Sequence, residues 1–117
     1  MLTVIVDGNN VLTALKMRRP DAAEQFLQKL ELAAVEKDWE VIVVFDGPER
    51  YLRRETGPLV VRYMQGKTAD SLIERMVYQA SDRAQVAVVT QDRAEGMLVT
   101  GLGARVWSAQ RLMEELG

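Results

Sequence analysis

The sequence contains no cysteine and no histidine among its 117 residues. Without cysteine the chain can form neither a disulfide nor a thiolate nucleophile. Without histidine it lacks the commonest general base and the usual zinc ligand. Any catalytic chemistry of this chain must therefore rest mainly on carboxylates.

The sequence also lacks an excess of positive charge. It has 15 lysines and arginines and 17 aspartates and glutamates, which gives a net charge of −2. This balance argues against a general polyanion binder, because non-specific affinity for nucleic acid depends on neutralising phosphates. No apolar run approaches the roughly 20 residues that span a bilayer, and the N-terminus opens into a strand-like segment instead of a leader peptide. We expect a cytoplasmic protein that does not contact a membrane. The sequence is compatible with a monomer and with a homo-oligomer.

Short β-branched runs alternate with helical patterns along the whole chain. Strands are predicted at residues 2–6, 41–45, 59–63, 86–89 and 105–107, with longer helices starting near residues 20, 68, 92 and 108. Alternation of this kind predicts an α/β fold, a three-layer, doubly wound and mainly parallel sheet of about five strands, as one domain over residues 1–117. Strand 59–63 should lie near an edge, because Arg62 interrupts it. Packing roles are predicted for Trp39, Trp107, Met64, Met76, Met97 and Met113.

Aspartates stand where the predicted parallel strands end. Asp7, Asp46 and Asp92 each follow a strand, and Asp70 lies in the first turn of a helix. Ligands of open parallel sheets bind beyond the carboxyl ends of the strands, so these side chains should converge. Several close carboxylates repel one another unless protons or cations compensate the charge. Hard cations prefer oxygen ligands, and the pattern therefore predicts a site for Mg²⁺ or Mn²⁺.

Each of these residues also has an ordinary explanation. Aspartate before glycine is a common turn signal, and aspartate at a helix start is a common cap. Each aspartate taken alone is better explained as a turn or cap residue, whereas the four aspartates together favour a metal site. Glu74, one turn after Asp70, is either a further metal ligand or a solvated partner of a nearby base. Asn10 either orients a phosphate or metal-bound water, or satisfies a backbone amide at the helix start.

Basic and aromatic residues follow Asp46 and can reach the same edge of the sheet. Such side chains contact phosphates and stack on bases in RNA complexes. A charged, solvated loop is an equally good explanation of this segment in an acidic protein. The candidate RNA-binding residues are Arg50, Tyr51, Arg53, Arg54, Lys67 and Arg93.

The order and spacing of four segments resemble the YacP-like branch of the NYN domains, which have the PIN-like nuclease fold. The segments are Val6-Asp7-Gly8-Asn9-Asn10, Val44-Phe45-Asp46-Gly47, Thr68-Ala69-Asp70-Ser71-Leu72-Ile73-Glu74 and Val89-Thr90-Gln91-Asp92. This resemblance implies a metal-dependent endoribonuclease acting on RNA, with ribosome-bound mRNA as the substrate described for one bacterial member. It further implies that Asp7, Asp70 and Asp92 bind the metal, assisted by Asp46 and Asn10.

Other functions are compatible with parts of the pattern. A noncatalytic RNA- or ribosome-binding module fits the small size and acidic charge, and its binding would survive loss of the acids. A phosphoacceptor receiver domain needs paired acids after the first strand, where this chain has Gly8 and Asn9. A P-loop needs a further upstream glycine before Gly66-Lys67-Thr68, and that glycine is missing.

Overall fold

The computed structural model describes residues 1–51 and 57–117. Its single sheet contains five parallel strands in the order β3-β2-β1-β4-β5. The strands are β1 (Thr3–Asp7), β2 (Glu40–Asp46), β3 (Leu59–Met64), β4 (Val86–Val89) and β5 (Arg105–Trp107). The helices are α1 (Gly8–Ala14), α2 (Pro20–Glu36), α3 (Ala69–Gln79), α4 (Arg93–Gly101) and α5 (Ala109–Leu116), with a short 3₁₀ turn at Arg83–Gln85.

The direction of winding reverses at the centre of the sheet. From β1 the chain moves outward to β2 and β3, then crosses back through α3 to place β4 on the other side of β1. In such a fold the loops diverge between the two central strands and leave a crevice at their carboxyl ends. The crevice between β1 and β4 is therefore where this architecture offers a site.

Two hydrophobic cores cover the two faces of the sheet. Alternate residues of β1 enter opposite cores, Val4 and Val6 facing α1, α2 and α5, and Ile5 facing α3 and α4. The central strands are buried on both faces, which explains their nearly continuous apolar sequence. The predicted three-layer, doubly wound fold is confirmed, with a sheet that is wholly parallel.

Local sequence signals set the helix boundaries. Thr68 accepts a hydrogen bond from the Ser71 amide at the start of α3, and Ser108 accepts one from the Arg111 amide at the start of α5. These caps satisfy amides that the first helical turn leaves free. Within the two described ranges, no helix combines the length and apolar character needed to cross a membrane.

The packing predictions were mostly accurate. β3 lies at an edge of the sheet. Trp107 is buried, and its ring meets Trp39 edge to face at 5.7 Å between centroids. The prediction for Met97 was wrong, because its side chain points away from both cores and is 70% exposed. The reason is its place on α4, where residues 95, 96 and 99 form the buried stripe.

Gly8 permits α1 to start directly against β2. A Cβ at this position would lie 2.5 Å from Cδ1 and Cε1 of Phe45 and 3.0 Å from the carbonyl oxygen of Val44. Since Phe45 is itself buried, Gly8→Ala should destabilise the fold by about 1–3 kcal/mol, measured by urea unfolding. Gly101→Ala, a helical position with nothing within 4 Å, is the control and should leave stability unchanged or raise it. Equal stability of both variants would contradict this assignment.

Candidate metal centre

Three carboxylates meet in the crevice between β1 and β4. Asp7 is the last residue of β1, Asp70 lies in the first turn of α3, and Glu95 lies in the first turn of α4. One carboxylate oxygen from each residue lies within 4.8 Å of the other two. The sheet therefore brings together acids from three separate segments of the chain.

The hydroxyl of Thr90 contacts two of these three acids. Its oxygen is 2.9 Å from Oε2 of Glu95, 3.2 Å from Oδ2 of Asp7 and 3.5 Å from Oδ1 of Asn10. The same oxygen accepts a hydrogen bond from the Asp92 amide at 3.0 Å. A hydroxyl has one proton to donate, so it can satisfy only one of these three acceptors at a time. Among the described residues, Thr90 therefore faces more acceptors than its one proton can satisfy.

Burial makes the charged forms of these acids costly. Asp7 is 5% exposed and Glu95 is 3% exposed. Burial raises the pKa of Glu95 to about 9, and the interaction with the Asp7 carboxylate adds to the rise. Burial also raises the pKa of Asp7, partly offset by its hydrogen bond with Glu95. The pKa of Asp70 is raised by burial and then by the negative charge of Asp92.

A hard divalent cation fits the donor set. All three candidate ligands are carboxylates, the type of ligand that Mg²⁺ and Mn²⁺ prefer. In the charged form of Glu95, Oε1 is buried and receives no hydrogen bond from the described part of the chain. A buried carboxylate oxygen without a partner is unfavourable unless a ligand occupies its lone pairs. Asp7, Asp70 and Glu95 can therefore hold such a cation, which would also compensate their mutual repulsion.

Asp46 lies at the end of β2 and holds the neighbouring segments together. Its amide donates to Oδ1 of Asn9 at 2.7 Å, and its own Oδ1 accepts from the Ala69 amide. Ala69 is the first residue of α3 and directly precedes Asp70. Asp46 therefore fixes the helix start that carries Asp70, and it is not one of the three grouped acids.

Asn10 and Asp92 order the loop after β4. Oδ1 of Asn10 accepts from the Gln91 amide at 2.7 Å, and Oδ1 of Asp92 accepts from the Glu95 amide at 3.1 Å. Asp92 thus caps α4 and places Glu95, while its charge acts on Asp70. Neither side chain belongs to the grouped acids, and the same holds for Glu74 on α3.

The predicted RNA-binding residues differ in exposure and in packing. Arg50, Lys67 and Arg93 are exposed. Tyr51 is held by packing, because its ring lies 5.2 Å from that of Phe45 and its hydroxyl donates to a backbone carbonyl at 3.0 Å. The predictions for Arg53 and Arg54 lie outside the described residues.

Glu95 was missed by the sequence analysis. It stands three residues after the cap Asp92, the spacing of a capping box in which the glutamate returns to the cap amide. In this structure Thr90 receives that amide, and Glu95 turns inward. The available signal was its position four residues before buried Val99, on the buried face of α4.

Fold and site together define a doubly wound α/β protein with an acidic centre suited to a divalent cation. The YacP-like NYN domain matches residues 4–117, and the chain belongs to this family. A comparison with curated proteins finds no match.

The chain is similar to solved structures of Rae1 (YacP) from Bacillus subtilis. One is 27% identical with a TM-score of 0.81, covering 99% of this chain and 74% of Rae1. The structure of a Rae1 mutant is 28% identical with a TM-score of 0.79, covering 99% and 75%. Family and structural similarity support a nuclease-like, RNA-related role.

Proposed function

We propose that this chain is an endoribonuclease that hydrolyses RNA phosphodiester bonds and depends on Mg²⁺ or Mn²⁺. The observation that carries this proposal is the convergence of Asp7, Asp70 and Glu95 within 4.8 Å, with one Glu95 carboxylate oxygen buried and without a hydrogen-bond donor among the described residues. Family membership supports the same class of reaction. A bound divalent cation would activate water and stabilise charge developing on the phosphodiester.

The protein's own contribution is to hold the acids in place. Asp7 is fixed by β1, where it pairs in register with Val44 of β2. Asp46 sets the start of α3 and so the position of Asp70. Thr90 and Asp92 orient Glu95. Preorganised ligands need little rearrangement when the substrate binds, which is the condition for strong electrostatic catalysis.

RNA would approach across exposed basic residues in the segments that follow β2, precede α3 and begin α4. Arg50, Lys67 and Arg93 are the described candidates for phosphate contacts, and Tyr51 would act by holding the loop that carries Arg50. Such contacts position a strand without reading its sequence. Ribosome-bound mRNA is the substrate that the resemblance to the YacP-like branch suggests.

The proposal predicts cleavage that depends on added metal. Incubating the protein with a pool of single-stranded and structured RNA should give internal cuts with Mn²⁺ and none with a chelator, measured by gel electrophoresis and mapping of product ends. If intact 70S ribosomes carrying mRNA are required, cleavage should appear only when they are added. RNA bound with equal affinity with and without metal, but never cut under either condition, would contradict the nuclease assignment.

A noncatalytic RNA- or ribosome-binding module is the second candidate. The exposed Arg50, Lys67 and Arg93 are compatible with it, since phosphate binding through a few basic residues does not need the acids. It differs from the nuclease in one measurable respect. Its RNA affinity would be unaffected by metal and by substitutions of Asp7, Asp70 and Glu95.

A further inference from the structure

A groove of about 770 Å³ runs along the outer side of α4 beside β5. Its lining residues on the helix extend from Arg93 to Gly101, a rise of about 12 Å. β5 is the last strand at this end of the described sheet, so the groove lies against an open sheet edge. The nuclease proposal does not use this surface.

The groove wall is apolar although it faces solvent. Met97 is 70% exposed and Val106 is 39% exposed, and both line it. Gly96 is buried, and a Cβ there would stand 3.5 Å from Cγ1 of Val106. Gly96 therefore lets α4 pack closely on Val106, and the exposed parts of Met97 and Val106 supply the apolar wall.

The sheet edge adds hydrogen-bonding groups to this wall. The Trp107 carbonyl accepts from the Thr90 amide at 3.1 Å, so the backbone groups of Trp107 point back toward the β4 side. Backbone groups of successive residues in a strand point to opposite edges. The N–H and C=O of Val106 therefore point outward, beside its apolar side chain. The wall combines an apolar face with a donor and an acceptor, as the face and edge of a nucleobase require.

The groove adjoins the candidate metal centre, although none of the three grouped acids lines it. Thr90 and Asp92 line the groove, and both also contact Glu95. Arg93 stands at the same end and is exposed. A strand with a phosphate at the acids would therefore pass the mouth of the groove within one or two residues of Asp92.

We propose that this groove is a subsite for one nucleobase of the RNA strand, next to the phosphate at the acidic centre. The inference rests on the proposed function and specifies its substrate contacts. A peptide strand added to β5 is the competing occupant, but β5 offers only three residues for pairing. Continuity with the acids favours RNA over peptide.

The test uses the methyl group of Met97 as a reporter, with the chain's other methionines as internal controls. Protein labelled with ¹³C-methyl methionine is titrated in Ca²⁺, which supplies the positive charge that a phosphate at the acids needs, with a short oligouridylate or with the matching abasic strand. Gel analysis after the titration confirms that the strand has stayed intact. A base packed in the groove should shift the Met97 methyl resonance through its ring current in a saturable manner. The abasic strand should leave that resonance in place.

Val106→Glu is the matched disruption of the groove, and Val35→Glu is its control. Val35 is an exposed valine on α2, so both substitutions add the same charge to the surface. Val106→Glu should weaken oligouridylate binding about tenfold or more and abolish the Met97 shift, whereas Val35→Glu should change affinity less than about twofold. Circular dichroism should show that both variants remain folded.

Three results would overturn the subsite. The first is an unmoved Met97 resonance at saturating oligouridylate, and the second is an equal shift with the abasic strand. The third is a Met97 shift that grows with protein concentration alone, which would show that a second copy covers the groove. Because these readings need no cleavage, they separate failure of the subsite from failure of the nuclease proposal.

Discussion

Replacing Asp70 with asparagine should lower the rate of Mn²⁺-dependent RNA cleavage on the order of a thousandfold, because a metal-binding carboxylate contributes several kcal/mol to transition-state stabilisation. The side chain keeps its size, and α3 keeps its Thr68 cap. Burial and the charge of Asp92 already raise the pKa of Asp70, so removing its charge relieves repulsion. Unfolding in chelator should therefore show equal or slightly higher stability.

Asp21→Asn is the matched control for this substitution. Asp21 also lies in the first turn of a helix, α2, and it is exposed away from the acidic cluster. Cleavage rates are compared for wild type and both variants over a titration of Mn²⁺. Cleavage by Asp70→Asn at the wild-type rate at low Mn²⁺ would remove Asp70 from the metal site. Loss of activity in Asp21→Asn as well would indicate a general effect on α/β packing.

Glu95→Gln should make the metal-free protein less sensitive to rising pH and should weaken its binding of metal. In the folded protein the pKa of Glu95 is about 9, against an ordinary value of 4.5. The folded state therefore holds this proton more tightly than the unfolded state. Stability linked to Glu95 is fully present below about pH 4.5 and is lost as the pH rises toward about 9.

In chelator, the Tm of the wild type should fall by several degrees between about pH 5 and about pH 8, and Glu95→Gln should reduce this slope. Since the pKa values of Asp7 and Asp70 are also raised, the Tm of Glu95→Gln should still fall with rising pH, but less steeply than that of the wild type. Saturating Mn²⁺ should reverse the trend in the wild type, because binding requires deprotonated carboxylates.

Mn²⁺ should raise the Tm of Glu95→Gln only slightly, and this variant should cut RNA on the order of a thousandfold more slowly than the wild type. Glu74→Gln tests the other glutamate that the sequence suggested, and it should behave as the wild type in both measurements. Scanning calorimetry and the cleavage assay supply the readings. An unchanged pH slope in Glu95→Gln would show that Glu95 is charged in the metal-free protein.

The fold could be predicted because its signals are local. Each strand is a short β-branched run and each long helix carries its own apolar stripe, so alternation alone indicated the parallel sheet. The rule about strand ends pointed to Asp7, Asp46 and Asp92, of which only Asp7 belongs to the grouped acids, whereas Asp70 was suggested by its place in the first turn of a helix. Glu95 could not be found in this way, because its inward direction depends on Thr90 taking the cap amide of α4. Three-dimensional packing determines the direction of the Glu95 side chain, and it also determines that Met97 is exposed.

The contacts that complete the acidic cluster join residues far apart in the chain. The hydrogen bond between Thr90 and Asp7 spans 83 residues, and it requires β4 to be paired with β1. A chain still emerging during synthesis has Asp7 and Asp46 but lacks the strand that brings Thr90 and Glu95 to them. The acidic cluster can therefore form only after synthesis has passed β4 and the first turn of α4.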